Sequence, residues 1–303
     1  MFNKLIPLIL SFFIFPQSAF AQDKLKVAAT LSTFADLAKQ VGGDFVEAYS
    51  ISPGMFNPHF YEPKPSDVLR TQKADLFIHA GLDLELWRYP LVEAAGNPDI
   101  FPGGKRELDL SKGISLLEAS QKQPTRLQGD VHIYGNPHYW VEPRNGKVMA
   151  VSITAKLIEL DPGHTDYYDK NLKEFLRKLD EKIIYWQAEL RAIKDKEVVA
   201  YHNEWIYLTE FAGIKLKQYL EPKPGIPPTP KHLAFIEEYI KKNNIPAIIQ
   251  PTYFPKSYAD GLAKRADIKI IILAQNVREI KEVSDYFLLI DFNLRRLKEA
   301  LGE

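Results

Sequence analysis

TDYYDKNLKEFLRKLDEKIIYWQAELRAIK, residues 165–194, carries apolar side chains at helical spacing along its whole length. Run as one helix it would measure roughly 45 Å at about 1.5 Å per residue. A rod of that length is an unusual connector inside a compact domain, so what it joins decides the fold. A second segment of helical period, KVMAVSITAKLIEL at 147–160, precedes it, and only DPGH at 161–164 interrupts the two.

Outward from this pair the pattern changes to short apolar runs alternating with amphipathic ones. On the N-terminal side LKVAA (25–29) reads as a strand, followed by a helix over 32–42 and by FVEAYSI (45–51) as a second strand. Ser66 has the character of an N-cap for a helix to Lys73; ADLFIHAG (74–81) reads as a buried strand and LDLELWRYPLVEAA (82–95) as a helix. On the C-terminal side come EVVAYH (197–202), a helix from Glu204, KLKQYL (215–220), and the proline-rich EPKPGIPPTP (221–230). A helix from Lys231, IPAIIQ (245–250), a helix to Arg265, IKIIIL (268–273) and a last helix to Leu301 complete the chain. Strands alternating with helices make parallel βαβ units. The expected fold is therefore α/β: two lobes with parallel βαβ sheets joined by a long rigid backbone helix. The N-terminal lobe would span 22–143, the linking helices 144–194, and the C-terminal lobe 195–303.

The N-terminus reads as a leader rather than as part of this fold. Lys4, an apolar run from Leu5 to Phe15 and the small-residue site Ala19-Phe20-Ala21 have the form of a secretory signal peptide over 1–21. Removing those residues from 303 leaves 282, of which 38 are basic and 39 acidic, Lys4 being the one charge lost. With no lipobox cysteine, the expectation is an exported, soluble, non-lipidated periplasmic protein. Balanced charge gives no reason to invoke nucleic acid or an anionic membrane as partner. The chain has no cysteine, so its stability rests on burial rather than on disulfides.

The residues that carry chemistry are histidines, of which there are seven. Residues 57–63 read NPHFYEP and residues 136–143 read NPHYWVEP: Asn-Pro-His, two aromatics and a Glu-Pro in both, the second longer by Val141. Pro58 pushes Asn57 out of the helical region and Pro63 does the same to Glu62, which makes a stiff loop around His59. His202 ends the run EVVAYH, and open parallel sheets bind ligands beyond the carboxyl ends of their strands. Taken singly, each of these histidines reads as an ordinary loop residue; the repeated Pro-His setting favours one shared site. Three neutral imidazoles in a cleft suit zinc or another borderline first-row ion. Glu62 and Glu142 are candidates to orient the imidazoles. His132, in the polar segment 118–135, reads as a solvated loop histidine or an auxiliary capture site, His79 as a satisfied residue near a strand end, and His164 and His232 as exposed residues at helix starts. Tyr139, Trp140, Trp205 and Tyr207 read as walls that keep water from the site, with ordinary core packing equally good for Trp205 and Tyr207.

The ensemble NPHFYEPKPSD, GNPHYWVEP and VVAYHNEWIYLTEFAG, in this order, resembles the zinc/manganese solute-binding proteins of ABC importers, the cluster A-I or cluster 9 family, over essentially the whole chain after the leader. The resemblance implies two α/β lobes holding one metal ion in the interlobe cleft, Zn2+ with Mn2+ as the alternative, and delivery to a membrane permease by a monomer that is not an enzyme. It makes His59 and His138 the N-lobe ligands and His202 a C-lobe ligand. For the fourth position it implies an acid, and the chain departs from the pattern there. Gln250 ends the strand IPAIIQ where relatives often carry an acid, so it is kept as an orienting group or ligand. In VSDYFLLIDFNLRRL the ungapped register puts Ser284 at the family position and Asp285 one residue later. Asp285 is the expected fourth ligand, with water as the alternative. A second role in cell adhesion is compatible with the family. The rival reading is a zinc-dependent hydrolase built on the same three histidines with Glu204 as base, although no His-Glu-x-x-His or Gly-x-Ser-x-Gly motif accompanies them.

If Pro58 presets the direction of a ligating imidazole, Pro58→Gly will weaken metal binding more than it lowers the stability of the metal-free protein. Equal losses in a chelator titration and a denaturant titration would make the loop merely structural.

Overall fold

The computed structural model describes residues 24–119, 134–223 and 225–302; the leader and His132 lie outside these residues. Two four-stranded sheets are present, every pairing in them parallel. The first holds β1 (Leu25–Leu31), β2 (Val46–Ser52), β3 (Leu76–His79) and β4 (Glu107–Asp109) in the order β2-β1-β3-β4. The second holds β5 (Glu197–Ala200), β6 (Lys215–Tyr219), β7 (Ala247–Gln250) and β8 (Lys269–Ile272) in the order β6-β5-β7-β8. This is the α/β architecture expected. The central strands β3 and β7 are buried along their whole length, as parallel strands covered on both faces must be.

The helices are α1 (Ser32–Gly42), α2 (Pro65–Gln72), α3 (Arg88–Ala95), α4 (Pro143–Leu160), α5 (Thr165–Glu189), α6 (Ile206–Ala212), α7 (Pro230–Asn243), α8 (Lys256–Ala266) and α9 (Tyr286–Leu301). The long rod is α5, 25 residues, shorter than its apolar pattern because Leu190–Ile193 tighten into a 3₁₀ turn. Tyr168, Phe175, Leu179, Ile183 and Trp186 form its buried stripe, at the three- and four-residue spacings of one helix face. No described helix is long and apolar enough to cross a membrane.

Two local expectations are corrected, and one strand is added. Helix α2 starts at Pro65, with Lys64 in the cap position and Ser66 inside the first turn; proline at N1 has the φ a helix needs and no N–H to satisfy, and Asp67 turns back to accept from Lys64 N at 2.8 Å. Leu82 and Asp83 take positive φ of 53° and 57°, so the helix expected from Leu82 begins only at Arg88. Strand β4, only three residues and too short to show a period, pairs with β3.

The two sheets do not have separate cores. One apolar cluster runs from Val27, Phe34 and Leu37 through Met149, Ile153 and Leu179 to Val198, Ile249, Ile271 and Leu289. Smaller clusters cover the outer face of each sheet. The C-terminal helix makes the connection: Tyr286 N donates to Asp36 Oδ2 at 2.9 Å and Tyr286 Oη to the Glu142 carbonyl at 3.3 Å. A Cβ at Gly146 would lie 2.5 Å from the Tyr286 hydroxyl oxygen, so the helix-interior glycine, which costs about 1 kcal/mol relative to alanine, is what lets α9 seat against α4.

Because both sheets share this core, the chain should unfold in one transition. Leu179→Ala, at a fully buried position of α5, is expected to lower stability by about 2–5 kcal/mol while tryptophan fluorescence and far-UV circular dichroism still fall together in denaturant. Two separated transitions would mean that the lobes are independent.

Candidate metal centre

The loop after β2 brings in His59. Asn57 Oδ1 accepts the His59 N–H at 3.0 Å, and the Asn57 carbonyl accepts from Phe60 N at 3.2 Å. The Pro58 carbonyl accepts from Trp87 Nε1 at 2.7 Å, Tyr61 packs edge-on against Trp87, and the Tyr61 hydroxyl donates to Asp67 Oδ2 at 3.1 Å. The second Asn-Pro-His loop repeats the first turn: Asn136 Oδ1 accepts the His138 N–H, again at 3.0 Å. In both, an asparagine side chain closes a local turn over the proline and fixes the backbone from which the imidazole projects. Tyr139 and Trp140 then anchor the loop, donating to the carbonyls of Ala80 and Gln275, both at 2.8 Å.

His202 arrives from the other sheet, two residues beyond the end of β5. The parallel ladder between β5 and β6 continues past the strands, with Glu221 N donating to the Tyr201 carbonyl at 2.9 Å. That register places Glu221 beside His202, and Glu221 Oε2 lies 2.8 Å from His202 Nδ1. An ionised carboxylate only accepts, so it holds the ring proton on Nδ1 and leaves Nε2 with its lone pair. His202 Nε2 is buried and has no hydrogen-bond partner among the described residues.

The three imidazoles converge. One ring nitrogen from each of His59, His138 and His202 lies within 4.8 Å of the others, and His59 Nε2 is 3.1 Å from His138 Nε2. The ring centroids are 5.1 to 5.5 Å apart. A tetrahedral ion bonded to imidazole at about 2.0–2.1 Å sets its donors roughly 3.3 Å apart, so the residues present fit such an ion. His138 and His202 are buried and His59 is half-buried, which shields the donor set from bulk water.

The other expected participants are elsewhere. Asp285 does not join the cluster: it is the N-cap of α9, and its Oδ1 accepts from Leu288 N at 2.9 Å. Its Oδ1 is taken up by that cap, it is not among the residues whose donor atoms converge, and Ser284 beside it is exposed. Glu62 is exposed. Glu142 is buried but caps α4, accepting from Asn145 N at 2.9 Å and pairing with Arg144. Gln250 is buried at the end of β7, with neither amide atom hydrogen-bonded among the described residues. The groups found behind the imidazoles are instead Glu221 and Gln275, whose Nε2 is 3.0 Å from His138 Nδ1. Glu204, next to the site in sequence, is fully buried; burial pushes its carboxyl well above the usual carboxylate range, and Oε2 lies 2.7 Å from the Tyr253 hydroxyl. His79 is satisfied, its Nε2 2.6 Å from Glu107 Oε1. His164 and His232 are half-buried rather than exposed: His164 stacks on Phe45 and His232 Nε2 donates to the Tyr219 carbonyl at 2.9 Å. Tyr139, Trp140, Trp205 and Tyr207 are all part of the shared core.

Comparison with known proteins places this arrangement. Residues 27–300 match the family described as zinc-uptake complex component A, periplasmic. The manganese ABC transporter substrate-binding lipoprotein PsaA of Streptococcus anginosus is 28% identical over 301 residues, covering 95% of this chain and 92% of that protein. The high-affinity zinc uptake system protein ZnuA of Bacillus subtilis (strain 168) is 28% identical over 286 residues, with 92% and 88% covered. Among solved structures, a crystal structure of ZnuA superposes with a TM-score of 0.76 at 21% identity, covering 91% of this chain and 99% of that one. With a three-histidine cluster lying between two parallel sheets, and a match over nearly all its described length, the chain belongs to the ZnuA family of metal-binding ABC-importer substrate-binding proteins.

Proposed function

We propose that the protein captures one divalent transition-metal ion through His59, His138 and His202, with water completing the coordination, and delivers it outside the cytoplasm to the membrane permease of an ABC importer. The observation that carries this reading is the convergence of three ring nitrogens, one from each histidine, within 4.8 Å; His202 Nε2 is buried and has no hydrogen-bond partner among the described residues. Zinc is favoured over manganese: the donors are all imidazole, and no carboxylate joins the group among the described residues, whereas manganese prefers oxygen ligands. In this reading residues 22–143 supply two donors and residues 195–303 the third, and the chain works as a monomer without catalysing a reaction. The hydrolase alternative gains no support from the site, because the carboxylate it needs as base, Glu204, is sealed in the interior against Tyr253.

Elemental analysis and competitive chelator titration of metal-stripped protein test the reading. One zinc per chain is expected in the wild type, lost or much weakened in His59→Ala, His138→Ala and His202→Ala. Asp285→Ala should keep its metal and lose only cap stability, typically about 1 kcal/mol. Failure of the wild type to take up stoichiometric zinc or manganese would overturn the proposal. Affinity should also fall with acid, because an imidazole must be neutral to bind a metal ion.

Glu221→Ala removes the carboxylate that fixes the His202 tautomer and should weaken zinc binding by roughly 10–100-fold, as read by the same chelator competition. Unchanged affinity would show that His202 needs no such support.

A further inference from the structure

The two buried imidazoles of the site are backed by chemically different groups. Behind His202 stands a carboxylate, Glu221, 2.8 Å from Nδ1. Behind His138 stands a neutral amide, Gln275, whose Nε2 lies 3.0 Å from His138 Nδ1. An NH2 group only donates, so in this arrangement His138 Nδ1 accepts and the neutral ring carries its proton on Nε2. That is the nitrogen 3.1 Å from His59 Nε2, the one turned toward the other ligands. A proton there blocks the lone pair that a metal ion needs.

We propose that Gln275 is the positioning residue of His138 and that its side-chain amide turns over when the metal is captured. In the loaded state Oε1 faces His138 Nδ1, accepts its proton, and leaves Nε2 free to ligate. The inference rests on the proposed three-histidine site and adds how one of its ligands is switched.

The surroundings accommodate both orientations. Gln275 is fully buried, and its backbone is pinned, its carbonyl accepting from Trp140 Nε1 at 2.8 Å and its N–H donating to Glu279 Oε2 at 2.7 Å. Exchanging the amide O and N by a half-turn about the last side-chain bond changes its shape hardly at all. At the far end, Gln275 Oε1 is 2.6 Å from the Tyr253 hydroxyl, which is also 2.7 Å from Glu204 Oε2. In the metal-free orientation the phenol donates to Gln275 Oε1. After the turn Gln275 Nε2 donates to the phenol oxygen, and the phenol directs its own proton to Glu204. The Gln275 amide thus has a hydrogen-bond partner at each end in either orientation. His138 keeps one proton throughout; it moves from Nε2 to Nδ1 by exchange with solvent. A carboxylate at 275 would fix the ligand-ready tautomer at all times, whereas glutamine leaves the site in a resting form until an ion arrives.

The test is NMR on 15N-histidine-labelled full-length protein, metal-free and zinc-loaded, with His138 assigned by its absence in His138→Ala. The expected spectra show the Nε2–H form of His138 without metal and the Nδ1–H form with zinc. Gln275→Met, which can neither donate nor accept comparably, should weaken zinc binding by roughly 10–100-fold and abolish the preference for Nε2–H in the metal-free protein. Finding Nδ1–H already in the metal-free wild type, or wild-type affinity in Gln275→Met, would overturn the inference while leaving the metal site standing. Absence of zinc uptake by the wild type would instead overturn the site itself.

Discussion

A single apolar core holds both sheets, and every distance in the metal centre depends on it. Two lobes with private cores joined by a strand or two would swing freely, and imidazoles contributed by each would meet only when something drew them together. Here the stripe of α5 is buried between them, and Tyr286 at the start of α9 is clasped by Asp36 from one lobe and the Glu142 carbonyl that opens α4. Ordering three long-range loops costs conformational entropy. A shared core meets most of that cost in the folding of the chain, before any ion is bound.

Within that frame the site is built from local turns. Asn57 and Asn136 make the same side-chain bond to the N–H of the histidine two residues on, so the two loops are not only alike in sequence but fold by one device. The third ligand uses a different one: the ladder of β5 and β6 running on to deliver Glu221 to His202. All three donors are imidazoles rather than carboxylates, and an imidazole in its neutral form can be buried without the penalty of desolvating charge. The site's polarity is thus carried by hydrogen bonds behind the rings rather than by charge in front of them.

The sequence made the architecture legible because period and punctuation agreed: parallel strands as short apolar runs, the long helix as an uninterrupted stripe, and the ligands as histidines in a repeated, proline-stiffened setting. What escaped it depended on contacts between distant residues. Glu221 and Gln275 stand at the ends of β6 and β8, and only the strand order sets them behind His202 and His138. Asp285 looked like a ligand because an acid beside an aromatic was expected near that point, yet the same residue type is also the usual N-cap, and the helix claimed it. Glu142 was diverted in the same way. Strand β4 has too few residues to show any period and exists because β3 offers it an edge.

The role of α9 in closing the core has a consequence for the order in which the chain acquires its structure. Helix α1, near the beginning of the described chain, packs against α9, whose last residue is Leu301. During vectorial synthesis the first sheet and its helices emerge long before the element that seals them, so the apolar faces of α1, α4 and α5 stay partly uncovered until α9 has been made. A truncation that removes α9 would leave an expanded, adhesive intermediate rather than a smaller folded protein.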